Sequence, residues 1–166
     1  MIQQENLMPL RMDAPLPSLE GGTDWFNSPP ITEEDLKGHP VLIHYWAISC
    51  GICKESLPDL NRWIDEYGPK GLKIISIHMP RQESDTDVAE VKKAIDEYEV
   101  RQPCVVDNWH TITDRFENKY VPALYLFDAE HKMRHFQAGE KAIKMTEPVV
   151  QRVLGLTQTV RSEERR

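Results

Sequence analysis

The chain has 166 residues, of which 40% are hydrophobic and 28% are charged, a composition typical of one soluble globular domain with its own core. Its formal net charge is -7, and its basic residues are dispersed apart from Arg165 and Arg166. This pattern argues against nucleic-acid or anionic-lipid partners, which need a concentrated positive surface. No segment approaches the roughly 20 apolar residues of a membrane span, so no membrane association is expected.

The amino-terminal residues lack both the basic region and the apolar region of a secretory signal peptide, so we expect a cytoplasmic location. We expect residues 1–13 to be loosely ordered, residues 14–157 to form a single domain and residues 158–166 to form a charged C-terminal tail. In a reducing compartment such as the cytoplasm, closely spaced cysteines are more often catalytic than structural.

The first forty residues predict an irregular entry with some β-structure around Trp25 and Phe26. A short turn follows over residues 32–37, with Thr32 as its N-cap. Residues 41–47 are apolar nearly throughout, which predicts a central strand covered on both faces.

Strands and helices alternate along the rest of the chain. The predicted elements are a helix over 50–67, a strand over 72–77, a helix over 87–98, a strand over 104–106, a short helix over 112–118, a hairpin of strands over 123–127 and 133–136, and a final helix over 146–154. This order predicts an α/β fold with a central mixed β-sheet flanked by helices on both faces. The acidic residues at 83–87 are expected to be solvated loop or helix-start charges.

Two cysteines stand three positions apart where the first strong strand gives way to a helix. Cys50 falls at the helix start, where unsatisfied N–H groups and the helix dipole stabilise a thiolate. The thiolate is the attacking species in disulfide exchange, and we expect the pKa of Cys50 to lie below its ordinary value of about 8.5. The pair therefore predicts a dithiol–disulfide oxidoreductase with Cys50 as the nucleophile and Cys53 as the resolving thiol.

The same pair could instead be half of a zinc site, which needs two further ligands. The remaining cysteine, Cys104, stands alone at the start of a predicted buried strand, and no histidine pair has ligand spacing. We therefore expect no metal and no cofactor, and we expect Cys104 to be a core residue.

The strand, the Cys-x-x-Cys pair and the helix after it resemble the thioredoxin fold. Pro58 lies five residues after Cys53, where that family places a kinking proline, while Gly51 and Ile52 separate the cysteines and Ile52 replaces thioredoxin's proline. The proline-rich entry and an insertion around residues 80–103 are similar to the TlpA/ResA branch, and most of all to its soluble, unanchored members in bacilli. The resemblance implies a thioredoxin-like fold with an N-terminal β extension and an inserted helix.

The resemblance also implies supporting residues around the dithiol. Val121-Pro122 precedes a predicted strand at the family's cis-proline position, where the backbone of Val121 would pair with an extended substrate segment. Trp46 would support the dithiol from beneath, or be an ordinary core tryptophan. His44 occupies the position of a buried proton-handling residue in thioredoxin, or is a satisfied core histidine.

Two other functions use this fold. A peroxiredoxin-like peroxidase has Thr or Ser three positions before its catalytic cysteine, where this chain has Ala47. A Sco-like copper-binding module has Cys-x-x-x-Cys spacing and a distant histidine, which differs from the spacing here. We therefore predict an enzyme, a monomer, that reduces protein disulfides with electrons from a thiol donor.

Overall fold

The computed structural model describes residues 8–156, and the expectations for residues 1–7 and for the tail at 158–166 lie outside that range. Within it, no helix combines the length and the apolar character needed to cross a lipid bilayer.

Between residues 8 and 156, six strands and five helices follow each other in the predicted order. The strands are β1 (Asp24–Phe26), β2 (Val41–Trp46), β3 (Lys73–His78), β4 (Cys104–Val106), β5 (Ala123–Phe127) and β6 (Met133–Ala138). The helices are α1 (Glu33–Leu36), α2 (Gly51–Tyr67), α3 (Val88–Glu97), α4 (Thr111–Phe116) and α5 (Ala142–Val153). Short 3-10 turns occupy Gly68–Lys70 and Glu83–Thr86.

The strands form one mixed sheet in the order β1-β4-β3-β2-β5-β6. β2, β3 and β4 run parallel to one another, while β5 is antiparallel to β2 and pairs with β6 as a hairpin. β1 pairs antiparallel with β4 at one edge, which is the expected N-terminal β extension. The parallel strands all end at one edge of the sheet, and this edge carries the chemistry described below.

Alternate residues of β2 enter two separate cores because successive side chains of a strand point to opposite faces. Leu42 and Trp46 pack into the core that includes buried residues of α2, α3 and α5. Ile43 and Tyr45 pack into the second core, with buried residues of α1 and α4. Helices therefore cover both faces, as the sequence predicts.

The final helix begins earlier than predicted, at Ala142 rather than at residue 146. Lys141 at its N-cap makes no side-chain capping hydrogen bond, so the usual sequence signal for a helix start is missing. Ala142 is buried in the core beside α2, and this burial draws the first turn into the helix. The strand before it is also longer than predicted, because Ala138 of β6 still pairs with Ala123 of β5.

Candidate active site

Cys50 and Cys53 are joined by a disulfide, with their Cα atoms 5.3 Å apart. Cys50 has extended backbone geometry and is the N-cap of α2, and its Sγ accepts a hydrogen bond of 3.1 Å from the backbone N–H of Cys53. An N-cap acceptor satisfies one of the free N–H groups of the first helical turn. The same N–H group can stabilise negative charge on Cys50 once the disulfide is opened.

The two sulfurs differ in their access to solvent. Cys50 is 5% exposed, whereas Cys53 is fully buried in the core beneath α2. Gly51 and Ile52 are exposed at the start of the helix, and Ile52 keeps 43% of its surface in solvent. Both residues are buried, and Cys50 is the one that keeps a small exposed fraction at the helix start.

The loop before β5 comes close to the start of α2. The Val121–Pro122 peptide bond is cis, as the family resemblance implies. Pro122, His44 and Ile52 are among the residues that line one small cavity of about 10 Å³, and Val121 packs against the core that holds both cysteines. The structure therefore brings the candidate supporting residues together at the carboxyl end of β2.

His44 lies in β2 and is completely buried. Its Nδ1 is 2.9 Å from the Ser76 hydroxyl, which also accepts a hydrogen bond of 2.8 Å from the Gln102 amide. If Nδ1–H donates to that hydroxyl, Nε2 is an acceptor; if the hydroxyl donates to Nδ1, the ring proton is on Nε2. Nε2 has no hydrogen-bond partner among the described residues. Burial lowers the pKa of His44 to about 3, so the ring is neutral at physiological pH.

Trp46 is the last residue of β2 and is completely buried. It belongs to the same core as both cysteines, which is where a support beneath the dithiol would lie. Its ring also meets the imidazole of His78 edge to face, with centroids 5.1 Å apart. A support and an ordinary core residue are compatible here, because the same packing performs both tasks.

His78 was not a candidate on the sequence alone, yet it holds the loop that leads to Cys50. This buried residue ends β3, and its Nε2 accepts a hydrogen bond of 3.0 Å from the backbone N–H of Ile48. Burial lowers the pKa of His78 to about 4, which keeps Nε2 available as an acceptor at neutral pH. The sequence contains no signal for this contact, because Ile48 and His78 are 30 residues apart.

Asp85 corrects the expectation that the acidic residues at 83–87 are all solvated. It is 1% exposed, and its Oδ2 accepts hydrogen bonds from the Ser49 hydroxyl at 2.8 Å and from the Arg81 backbone N–H at 2.9 Å. Asp87, by contrast, caps α3 at its start, as a helix-start residue should. A buried carboxylate needs such partners, and here they fix the residue that precedes Cys50.

The structure also places the residues that bear on the peroxidase and metal-binding alternatives. Ala47 is buried three residues before Cys50, without the hydroxyl that the peroxidase alternative needs. Cys104 is a buried free thiol, and burial raises its pKa to about 12, so it is protonated and unreactive at neutral pH. Over residues 8–156, His, Cys, Asp and Glu side chains nowhere gather in groups of three or more that could hold a metal ion.

Residues 13–136 of the chain match the AhpC/TSA family. The chain is 44% identical over 150 residues to the thiol-disulfide oxidoreductase YkuV of Bacillus subtilis, an alignment that covers 90% of this chain and all of YkuV. It is 26% identical over 123 residues to the thiol-disulfide oxidoreductase ResA of Bacillus cereus, covering 74% of this chain and 68% of ResA.

The fold has a close counterpart among solved structures. The solution structure of a thioredoxin-like protein in the oxidised form superimposes with a TM-score of 0.80 at 44% sequence identity, over 88% of this chain and 98% of that one. The architecture and the position of the dithiol therefore agree with the resemblance found on the sequence.

Proposed function

The chain belongs to the AhpC/TSA family and is a thiol-disulfide oxidoreductase of the thioredoxin fold, and from this premise we propose that it reduces protein disulfides with Cys50 as the nucleophile and Cys53 as the resolving thiol. The observation that carries the assignment is the position of Cys50, which caps α2, accepts a hydrogen bond from the Cys53 N–H and is 5% exposed, whereas Cys53 is 0% exposed. Attack on a bulky partner requires the accessible sulfur, whereas resolution is an attack within the protein.

The reaction begins with the reduced dithiol. The Cys50 thiolate attacks one sulfur of the substrate disulfide, forms a mixed disulfide and releases the other substrate sulfur as a thiolate. Cys53, as a thiolate, then attacks Cys50 Sγ, which releases the second substrate sulfur and closes the Cys50–Cys53 disulfide. The substrate gains two electrons and two protons, and a thiol donor returns the enzyme to the dithiol state.

The surroundings of Cys50 suit a protein substrate better than a small molecule. The enclosed cavity between His44, Ile52 and Pro122 measures only about 10 Å³, far below the several hundred Å³ of typical small-ligand pockets, and the larger space at Ile52 is an open groove between α2 and α5. A partner disulfide must therefore be brought to the helix start on a surface that fits against it. We include the backbone of Val121 in this surface, as a pairing edge for an extended segment of the substrate.

His44 and Trp46 complete the proposal as residues that act beneath the dithiol. With a pKa of about 3, His44 would hold a proton only briefly, so we assign it a transient relay role in the ionisation of Cys53. Trp46 is a positioning residue that keeps the end of β2 rigid under Cys50.

The reducing direction requires a compartment that keeps thiols reduced, and the cytosol is such a compartment. The proposal therefore places the protein in the cytosol, acting as a monomer on protein disulfides and recharged by a thiol donor. Cell fractionation and the hydrodynamic size of the purified protein test the two parts separately.

The mechanism is tested with single cysteine variants. Cys53→Ser should accumulate a mixed disulfide between Cys50 and a substrate protein, visible by mass spectrometry and released by dithiothreitol. Cys50→Ser should neither trap substrate nor reduce insulin. Cys104→Ala is the matched control and should reduce insulin normally, because Cys104 lies outside the site. Reduction of insulin by the Cys50→Ser, Cys53→Ser double variant would overturn the assignment.

A further inference from the structure

Three loops meet at the active-site edge of the sheet. Since β2, β3 and β4 are parallel, the residues that follow them emerge side by side. Cys50 follows β2, Arg81 follows β3 and Trp109 follows β4. The loops of Arg81 and Trp109 therefore lie on the β3–β4 side of the dithiol, and neither residue has a part in the thiol chemistry.

Arg81 is joined to the residue next to Cys50. Its Nε and Nη2 donate to the Ser49 hydroxyl at 3.3 and 3.1 Å, while buried Asp85 accepts both from that hydroxyl and from the Arg81 backbone N–H. The guanidinium is exposed, and within residues 8–156 it has no ion-pair partner at 4.0 Å or less. Arg81 is therefore a positioned cation beside Cys50 that can still bind a carboxylate.

Trp109 is 77% exposed, more than any other large hydrophobic side chain in the described part of the chain. The loop that carries it is nevertheless well fixed. Asn108 donates to the Thr86 carbonyl at 2.9 Å, the His110 N–H donates to the Asp107 carbonyl at 2.9 Å, and His110 has left-handed backbone geometry with a φ of 59°. A non-glycine residue holds that geometry only where its surroundings impose it. Exposed tryptophans presented by a rigid loop are typical anchors of protein–protein contacts.

One of the hydrogen bonds between the two loops lies next to both Arg81 and Trp109. Nε2 of His110 lies 3.0 Å from the carbonyl oxygen of Pro80, and Pro80 directly precedes Arg81. Trp109 and Arg81 are thus each one residue away from a shared contact. The exposed aromatic ring and the cation are carried by adjoining loops, and Arg81 contacts the residue before Cys50; we name the exposed side chains of these two residues the Arg81–Trp109 surface.

The opposite side of the dithiol has a different charge. A groove of about 390 Å³ between α2 and α5 begins at Ile52 and contains an excess of carboxylates. Its charged residues are Glu55, Asp59, Glu140, Glu147, Arg62 and Lys144. Because α5 packs on the β5–β6 side of the sheet, this groove and Arg81 lie on opposite sides of Cys50. The groove therefore disfavours an acidic segment by its excess of carboxylates, whereas Arg81 offers such a segment a cation next to Ser49.

We propose that the Arg81–Trp109 surface selects protein substrates whose disulfide is flanked by an acidic residue and an apolar residue. The carboxylate binds the guanidinium of Arg81, and the apolar side chain packs against the ring of Trp109. The proposal rests on the reductase function given above and adds its substrate class.

The charge preference is tested with two disulfide-bonded peptides that differ only in Glu or Lys beside the cysteine, each with one leucine nearby. The neutral bis(2-hydroxyethyl) disulfide reports the thiol chemistry alone. For the native protein at low ionic strength we expect kcat/KM to be about tenfold higher for the Glu peptide, and this ratio should shrink in 0.5 M salt. Arg81→Glu should reverse the ratio. The control is Arg101→Glu, which changes an exposed arginine that precedes β4, whereas Trp109 follows β4. This variant should keep the native ratio.

The aromatic contact is tested by the ratio of kcat/KM for the Glu peptide to that for the neutral disulfide. Trp109→Ala should lower this ratio about fivefold, mainly through KM, because the lost contact serves only the peptide. Met145→Ala, at an exposed apolar residue of α5, is the matched control and should leave the ratio as it is.

The outcomes separate the two proposals. Equal rates for the Glu and Lys peptides, a preference for Lys, or an unchanged ratio in Arg81→Glu would overturn the substrate preference while reduction of the neutral disulfide continued. If Trp109→Ala left the ratio of kcat/KM for the Glu peptide to that for the neutral disulfide unchanged, Trp109 would not be an anchor for the substrate. Failure of the native protein to reduce any of the three disulfides would instead overturn the reductase function.

Discussion

The active-site edge and the outer surface of the helices are stabilised by different kinds of polar contact. At the edge, buried His78 and Asp85 accept hydrogen bonds from backbone N–H groups of the loops around the dithiol, and buried Asp107 accepts them from the first turn of α4. On the outer surface, exposed cations such as Arg62 and Lys92 pair with exposed carboxylates.

Buried polar contacts therefore occur where the loops around the dithiol need one defined backbone geometry. A buried acceptor permits only one loop geometry, because any other leaves a polar group without a partner. An exposed ion pair can be replaced by water at little cost. The loops that carry Ser49, Arg81 and Trp109 use the first device, and the surfaces of α2 and α3 use the second. Substitution of a buried acceptor should therefore destabilise the protein more than substitution of an exposed ion-pair partner.

Asp107→Ala should destabilise the oxidised protein the most. The buried carboxylate accepts from the backbone N–H groups of Ile112 at 3.1 Å and Thr113 at 2.7 Å, at the start of α4. Removing it leaves two buried donors unsatisfied, and we expect a loss of about 4 kcal/mol in the free energy of unfolding. Urea denaturation measures this loss. Asp107→Asn keeps one acceptor oxygen and should lose about half as much, and equal losses for the two variants would contradict the assignment.

His78 should make the protein less stable in acid. Its pKa is about 4 in the folded state and about 6.5 when unfolded, so the unfolded chain binds the additional proton between these values. The free energy of unfolding should therefore fall by about 3 kcal/mol as the pH decreases from 6.5 to 4, with no contribution from His78 above that window. Denaturation at several pH values measures the slope.

The variant His78→Gln isolates this contribution. Its amide oxygen can still accept from the Ile48 N–H, but it does not titrate. Because His44 shifts in the same direction in both proteins, its contribution cancels in the comparison. The gap between native protein and variant should close as the pH falls, and a constant gap from pH 7 to pH 4 would show that His78 does not titrate as proposed.

His44→Ala should slow the attack of Cys53 on a mixed disulfide between Cys50 and glutathione. We expect a decrease of about tenfold near neutral pH and a changed pH profile, since a relay affects proton transfer as well as rate. Stopped-flow tryptophan fluorescence follows the step. Thr146→Ala removes another buried polar side chain and serves as control, with an unaltered profile expected. If His44→Ala keeps the native profile, the residue has only a core role.

Lys92→Gln should have the smallest effect. Lys92 pairs with Asp96 at 2.8 Å on the surface of α3, and the two side chains are 51% and 64% exposed. We expect a loss of about 0.4 kcal/mol that disappears in 0.5 M salt. A loss comparable to that of Asp107→Ala would mean that the contrast between the edge and the outer surface is wrong. The same urea experiment provides the comparison.

Most of the fold was predictable because its signals are local. The apolar run of β2, the capped turn at Thr32 and the helical spacing after Cys50 each occupy one short segment, and the structure confirms them. The start of α5 was not predictable, because Lys141 offers no cap and the packing of Ala142 decides it.

The candidate site likewise contains residues that the sequence identifies and residues that only the structure identifies. The Cys-x-x-Cys pair and its position at the helix start were visible in the sequence, and so were Val121 and Pro122 through the resemblance. His78 and Asp85 were missed, since their partners lie 30 and 36 residues away along the chain. Nothing in the composition around residue 85 distinguishes its buried carboxylate from its solvated neighbours.

The amino-acid sequence by itself determined the order of strands and helices and the dithiol at the start of α2, because hydrophobic periodicity and helix-end chemistry act between near neighbours. Tertiary contacts alone decided which carboxylate is buried beside Ser49 and which loops adjoin at Pro80 and His110, next to Arg81 and Trp109. These features arise where parallel strands bring distant loops to one edge, and no local pattern specifies which residues meet there.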